Sequence, residues 1–174
     1  MQQFGYRNDP ANEQTESPFF FMKRHFTTTV YLLKEGQALL LFHPKLKKWL
    51  PPGGHIETDE SPPMAARREV WEETGLEFTF IRKESIWIDR WNAKSFESPY
   101  LCLMEEIPED AGVPAHQHMD LIYLGRPVGN RQPVSEDPIC WLNLQQIEAL
   151  EDDEEIFVET KEVLRTLLSA EVSR

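Results

Sequence analysis

Three glutamates on one side of a predicted helix have the types and spacing that metal chemistry requires. Glu69, Glu72 and Glu73 are spaced i, i+3 and i+4, which puts their carboxylates within about a 100° arc of an α-helix. Like charges at this spacing repel, and the helix dipole disfavours anions in the last turns by about 0.3–1 kcal/mol each. An isolated Glu-x-x-Glu-Glu is ordinarily a solvated acidic face, whereas an all-oxygen ligand set suits magnesium or manganese. The neighbouring residues must decide between these two interpretations.

The residues before and after the three glutamates also have a recognisable spacing. Together they form a motif of nine residues: Gly54, Glu60, Arg68, Glu69, Val70, Glu72, Glu73, Gly75 and Leu76. The motif is preceded by Trp49-Leu-Pro-Pro-Gly-Gly. With residue frequencies of about 5–7%, the probability that all of these residues match by chance at a given starting point in the chain is on the order of 10⁻⁹. Residues 54–76 thus resemble the Nudix box without a departure, and the chain is similar to Nudix hydrolases.

The resemblance implies a fold and a metal site. The fold is α/β, a Nudix-type α/β/α sandwich with a mixed β-sheet, in which the box forms a loop–helix–loop. By position, Glu69, Glu72 and Glu73 would be metal ligands together with the carbonyl of Gly53. The implied cofactor is Mg²⁺ or Mn²⁺. Glu72 and Glu73 would also belong to the catalytic residues.

The remaining box residues have supporting roles in the resemblance. Arg68 would act in catalysis by orienting a ligand carboxylate, and Glu60 would tie the loop to the helix. Gly54 and Gly75 would shape the two ends of the box. The implied chemistry is attack of water on a phosphorus of a diphosphate linkage, with the metals lowering the pKa of the water.

Substrate choice is less determined than reaction type. In the family, ADP-ribose and dinucleoside-polyphosphate enzymes often carry a Pro or Tyr some fifteen to eighteen residues beyond the box, where this chain has Trp91-Asn-Ala-Lys94. We expect a small-molecule nucleotide substrate: a nucleoside diphosphate linked to another moiety, of the sugar-nucleotide, ADP-ribose or dinucleotide type. The alternatives are a nucleoside triphosphate pyrophosphatase and a non-hydrolytic nucleotide-sensing module.

Two loops contain further candidates. Glu136 is a candidate general base or downstream metal ligand, with its neighbours Ser135 and Asp137 as alternatives. Lys48, the last of three lysines before Pro-Pro-Gly-Gly, is a candidate for binding a substrate phosphate. A solvated loop lysine is the alternative interpretation.

A histidine-containing segment is the last candidate. On an extended chain, His116, His118 and Asp120 share one face, and either histidine could donate a hydrogen bond to a substrate phosphate or sugar. Polar residues on the open face of a strand are the alternative. Two histidines and an aspartate along one strand are only a weak zinc signal.

The composition of the chain limits which binding partners and which cellular compartment we expect. The 174 residues carry a formal charge of −12, which argues against nucleic acid and anionic membranes as partners. No apolar run approaches the ~20 residues of a membrane span. The two cysteines, Cys102 and Cys140, form no CxxC and are typical of reduced thiols, so we expect a cytoplasmic protein. The sequence leaves a homodimer open.

The elements that must position these residues follow from local patterns. We expect an N-terminal extension at 1–24 and one domain at 25–174. A helix should begin after Ser61 with Pro62 at its first position and end before Gly75. The other predicted elements are strands at 26–33, 37–42, 78–89, 100–104 and 121–124, irregular loops at 43–54 and 126–138, and helices at 141–150 and 154–168.

Overall fold

The computed structural model describes residues 22–82 and 86–172, with side chains described through residue 169. The predicted extension at 1–24 therefore lies outside the described residues except for its last three positions. The strands are β1 Arg24–Lys34, β2 Gln37–His43, β3 Lys48–Leu50, β4 Gly53–His55, β5 Phe78–Phe80, β6 Asp89–Arg90, β7 Ala93–Lys94, β8 Leu101–Ile107, β9 His116–Pro127 and β10 Ile139–Asn143. The helices are α1 Pro62–Thr74, α2 Leu144–Glu148 and α3 Val158–Val172.

Eight of the strands form one mixed sheet. Its main order is β10-β2-β1-β9-β5, and β3, β4 and β8 pair with β2, β1 and β9. β1 and β9 are parallel, while the other pairs are antiparallel. β6 and β7 form a separate two-stranded ribbon. β1 is central, because it pairs with β2, β4 and β9.

Helices cover both faces of this sheet. On one face, Ala66 and Val70 of α1 pack with Val30, Leu32 and Tyr123. On the other face, residues of α2 and α3 pack with alternate residues of the same strands; they include Tyr31, Leu33, Ile122, Leu124, Ile147, Leu164 and Leu168. The period-2 alternation along β1 and β9 therefore separates two apolar cores. The predicted α/β/α sandwich with a mixed sheet is confirmed.

Several predicted elements are confirmed with shifted ends. The first hairpin, the box helix and the strand at 100–104 are present, and the strand predicted at 121–124 extends to His116–Pro127. Among the described residues of the strand predicted at 78–89, which exclude 83–85, Phe78–Phe80 pair with β9 and Asp89 pairs with Lys94 of β7. The last helix begins at Val158 rather than Glu154, because Asp152 and Ile156 form a β-bridge just before it.

Two predictions were wrong. The segment 43–54 is not irregular throughout, because β3 and β4 lie in it. Pro44 precedes β3, and Pro51 and Pro52 fall between the two strands, where the Pro52 carbonyl accepts a hydrogen bond from Val30 N at 2.9 Å. Residues 141–143 are strand rather than helix, since β10 pairs with β2. Asn143 then starts α2 through a capping box with Gln146.

No helix in residues 22–82 or 86–172 is long and apolar enough to cross a membrane.

The packing of the core on the α3 side predicts that two leucines contribute very differently to the free energy of unfolding. Leu164 is fully buried, whereas Leu46 is 44% exposed. We expect Leu164→Ala to lower the free energy of unfolding by about 2–5 kcal/mol, because it removes buried methylenes and leaves a cavity. Leu46→Ala should cost less than about 1 kcal/mol. Urea denaturation measures both values, and similar losses would contradict this packing.

Candidate functional site

The box helix is bounded by local features of its sequence. Ser61 is extended and its carbonyl accepts the amides of Met64 and Ala65, although its side chain makes no capping hydrogen bond. Gly75 ends the helix with φ +64° and donates its amide to Trp71 O at 2.8 Å. A left-handed residue at this point is most easily a glycine. Gly75 therefore fixes where the three-glutamate turn ends.

Strand β4 brings the box loop against this helix. Gly53 and Gly54 pair with Thr29 and Thr28 of β1. The amide of Gly53 donates to Glu73 Oε2 at 3.0 Å. A Cβ on Gly54 would lie 2.4 Å from Glu69 Oε1, closer than real Cβ atoms approach any atom. Gly54 therefore allows the backbone of β4 to approach the Glu69 carboxylate, and the Gly53 amide holds Glu73.

Arg68 connects the acidic side chains. Its guanidinium makes a two-pronged pair with Glu60, with both distances at 2.8 Å. Nη1 donates to Glu69 Oε1 at 2.7 Å and to Glu72 Oε2 at 3.1 Å. Nη2 also donates to the carbonyl of His55 at 3.0 Å. The structure thus brings Glu60, Arg68, Glu69 and Glu72 together in one network.

Burial and neighbouring negative charges both disfavour the ionised form of Glu73. Burial raises the pKa of Glu73 to about 7, opposed by the Gly53 hydrogen bond and reinforced by the charges of Glu69, Asp137 and Glu72. The Arg68 network and Glu73 together contain four carboxylates and one guanidinium. Each of the three helix carboxylates uses one oxygen in a hydrogen bond to Arg68 or Gly53, which leaves the other for a cation. The donor set therefore fits a hard divalent ion.

The loop candidates lie in different places. Asp137 is near enough to Glu73 for its charge to raise the pKa of that carboxyl, while Glu136 beside it is exposed. Lys48 is engaged on another part of the fold: its ammonium donates to the carbonyls of Asp153 and Glu154 and lies 5.0 Å from the centre of the Phe157 ring. Those contacts hold β3 against the segment before α3.

The histidine candidates lie on the opposite face of the sheet from α1. His118 pairs with His25 of β1, and even-numbered residues of β9 face the α3 side. His116 Nε2 lies 3.2 Å from His118 Nε2. The open-face alternative is wrong for His116 and Asp120, which are buried. Thr27 donates to Asp120 at 3.0 Å, so that carboxylate is already engaged.

Two further histidines join this group. His25 Nδ1 lies 3.3 Å from His55 Nε2, and the rings of both contact His118. Burial, reinforced by the charges of His55, His116 and His25, lowers the pKa of His118 to about 4. Sequence analysis missed His25 and His55 because each comes from a different strand. Only the strand register could have joined them.

The sheet between helices and the acidic loop–helix define an α/β/α protein with a cluster of carboxylates whose oxygens fit a divalent cation. The family model that describes the sequences of NUDIX domains matches residues 23–161, most of the chain. The chain therefore belongs to the Nudix hydrolase family.

Similar proteins span several named activities. A probable DHNTP pyrophosphohydrolase from Lactococcus lactis is 29% identical over 69% of this chain and 64% of its own length. Phosphatase NudJ from Escherichia coli K12 is 33% identical over 55% of this chain and 62% of its own. The chain thus matches a little under two thirds of these curated relatives. The crystal structure of a NUDIX-family hydrolase from Clostridium perfringens superposes with a TM-score of 0.68 at 25% identity, covering 86% of this chain and 99% of that one.

The Arg68 network predicts a stability effect. Arg68→Ala would leave the carboxylates of Glu60 and Glu69, which are 14% and 13% exposed, and the more exposed carboxylate of Glu72 without their guanidinium. We expect the free energy of unfolding to fall by about 2–4 kcal/mol, somewhat below the loss for a fully buried pair. The control is Arg82→Ala, which breaks a more exposed pair with Glu97 and should cost less than about 1 kcal/mol. Equal losses in urea denaturation with EDTA would show that the network contributes no special stability.

Proposed function

We propose that the chain is a divalent-metal-dependent hydrolase of a diphosphate linkage. Its substrate would be a nucleoside diphosphate linked to another moiety, of the sugar-nucleotide, ADP-ribose or dinucleotide type. The observation that carries the proposal is the set of Glu69, Glu72 and Glu73 on one side of α1, oriented by Arg68 and by the amide of Gly53. The names of the curated relatives, pyrophosphohydrolase and phosphatase, support the reaction class.

The three carboxylates favour Mg²⁺ or Mn²⁺. All the atoms that these residues offer as metal ligands are oxygens, and hard cations prefer oxygen ligands. The repulsion among the carboxylates, which contributes to the raised pKa of Glu73, would be relieved by a divalent charge. When bound, such an ion supplies charge neutralisation at the phosphate oxygens and lowers the pKa of water.

The protein's own part in this reaction is positioning. Arg68 fixes Glu69 and Glu72 from one side, and the Gly53 amide fixes one oxygen of Glu73. Because these contacts exist before substrate arrives, little reorganisation is needed during the reaction. We infer that Glu69 serves as a ligand, that Glu72 and Glu73 serve as ligands and catalytic groups, and that Arg68 positions them. The Gly53 carbonyl is the further ligand proposed.

Two alternatives differ in testable ways. A nucleoside triphosphate pyrophosphatase would release pyrophosphate and a monophosphate, and the name of the Lactococcus relative favours keeping it. A nucleotide-sensing module would bind without turnover, but the complete carboxylate set argues for catalysis. Phosphorus NMR of the products from a mixed nucleotide panel with Mg²⁺ distinguishes them. We expect two phosphomonoester products from a linked diphosphate; binding without any cleavage, with Mg²⁺ or Mn²⁺, would refute the hydrolase proposal.

The helix glutamates should be needed for turnover. Glu72→Gln and Glu73→Gln are each expected to lower kcat by at least about 10²-fold, because a metal ligand or proton acceptor is lost. Wild-type activity should vanish in EDTA and return with Mg²⁺ or Mn²⁺. Glu162→Gln, an exposed helix glutamate on α3, is the matched control and should leave kcat unchanged. Full activity in a well-folded Glu72→Gln would contradict the assignment.

The loop base can be located by comparing two neighbours. We propose Glu136 as the loop residue that assists proton transfer, so Glu136→Gln should lower kcat by about 10²-fold with a smaller change in KM. Asp137→Asn should have a smaller effect, exerted through the charge that Asp137 places near Glu73. Steady-state kinetics with the best substrate measures both. A larger loss of kcat in Asp137→Asn would transfer the role to Asp137.

A further inference from the structure

We propose that His25, His55 and His118 form a second metal site for a borderline divalent ion of the zinc class. The site would lie on the face of the sheet opposite the carboxylates of α1. It does not depend on the proposed hydrolytic function, because it uses different residues and a different type of ligand atom.

Three adjacent strands bring these imidazoles together. His118 of β9 pairs with His25 of β1, and His55 of β4 pairs with Thr27, two residues along β1. Side chains at these positions point to the same face of the sheet. One ring nitrogen from each of His25, His55 and His118 lies within 4.8 Å of the others. The register of the strands therefore builds the cluster.

One distance within the group matches the spacing that a metal would impose, and the other nitrogens lie within 4.8 Å of one another. Zinc–nitrogen bonds of ~2.0–2.1 Å in a tetrahedral site place ligand nitrogens about 3.3 Å apart. His25 Nδ1 and His55 Nε2 are 3.3 Å apart. His116 Nε2 lies 3.2 Å from His118 Nε2, at the border of the three-histidine group, and would reach the ion as a fourth ligand only after a shift of its ring. Small rotations of the rings would bring these nitrogens around one ion.

A hydrogen bond orients the His116 imidazole, and a carboxylate lies near that of His118. His116 Nδ1 lies 2.9 Å from the carbonyl of Pro114, which can only accept, so that nitrogen carries the proton and Nε2 keeps a lone pair. His118 Nδ1 faces Glu105 Oε2 at 3.8 Å, with Nε2 turned toward the other histidines. A second ring nitrogen facing a carboxylate or carbonyl is the usual support of a metal-binding histidine.

The two proposed sites would select different ions. Imidazole nitrogens suit Zn²⁺, Co²⁺, Ni²⁺ or Cu²⁺, whereas the carboxylates of α1 suit Mg²⁺ or Mn²⁺. The sites are adjacent along β4, since Gly54 faces Glu69 on one side of the sheet and His55 faces the histidines on the other. An ion at the histidines would tie β4 to β1 and β9, and it should therefore raise the melting temperature.

The experiment uses cobalt as a coloured probe for nitrogen ligands. Metal-free protein is titrated with Co²⁺ while the visible spectrum is recorded, and the complex is then displaced with Zn²⁺. A tetrahedral site rich in nitrogen absorbs much more strongly than a six-coordinate oxygen site, so the two sites are distinguished by intensity. We expect one equivalent of strongly absorbing Co²⁺, displaced by one equivalent of Zn²⁺, with a higher melting temperature in the Zn²⁺ form.

Four variants assign the ion. His118→Ala and His55→Ala should each weaken Co²⁺ binding at least about 100-fold, since loss of a supporting contact alone costs 10–100-fold. His55 is exposed, so its substitution leaves the core intact. His43→Ala and Glu72→Gln are controls and should retain the absorbing complex. No strongly absorbing complex in the wild type, its retention in both cluster variants, or its loss in Glu72→Gln would overturn the proposal.

Discussion

All five N–H groups of Arg68 are used within the Nudix box, in bonds to Glu60, Glu69, Glu72 and the carbonyl of His55. This matters because the carboxylates would otherwise repel one another and turn toward solvent. A lysine could not replace the planar fork, since it offers a single point charge on a flexible stem. The guanidinium gathers the acidic groups but neutralises only part of their charge. The remaining negative charge is what suits the site to a divalent cation.

The short strand β4 also positions the acidic site. It is paired with β1, so its glycines approach α1 while His55 points to the other face. Gly54 leaves room for the Glu69 carboxylate, and the amide of Gly53 holds Glu73. The acidic site thus lies where strand β4, which pairs with β1 at the side of the sheet, contacts helix α1. Because Arg68 also bonds the carbonyl of His55, β4 connects the acidic site to the histidine cluster.

The sequence predicted the parts of this molecule that depend on local pattern. The box helix was predicted from its proline start and glycine end, and the first hairpin from two apolar runs around Glu35-Gly36. Residues 141–143 of β10 were mistaken for helix because only their pairing with β2 distinguishes the two.

Non-local contacts were the least predictable from sequence. Gly54 could be assigned to the box, but its close approach to Glu69 depends on the pairing of β4 with β1. The histidine cluster depends on the register of three strands. His118 and the adjacent His116 could be noticed along one strand, while His25 and His55 are far apart in sequence and carry no spacing signal.

The central claim is that Glu69, Glu72 and Glu73, gathered by Arg68 and Gly53, hold a divalent cation. A crystal structure of the protein grown with Mn²⁺, with data collected for anomalous scattering from manganese, tests it most directly. We predict an anomalous peak bonded to oxygens of these three glutamates, with the Arg68 contacts to Glu60 retained. Ordered carboxylates with no peak between them at saturating Mn²⁺, or manganese bound only elsewhere, would contradict the claim.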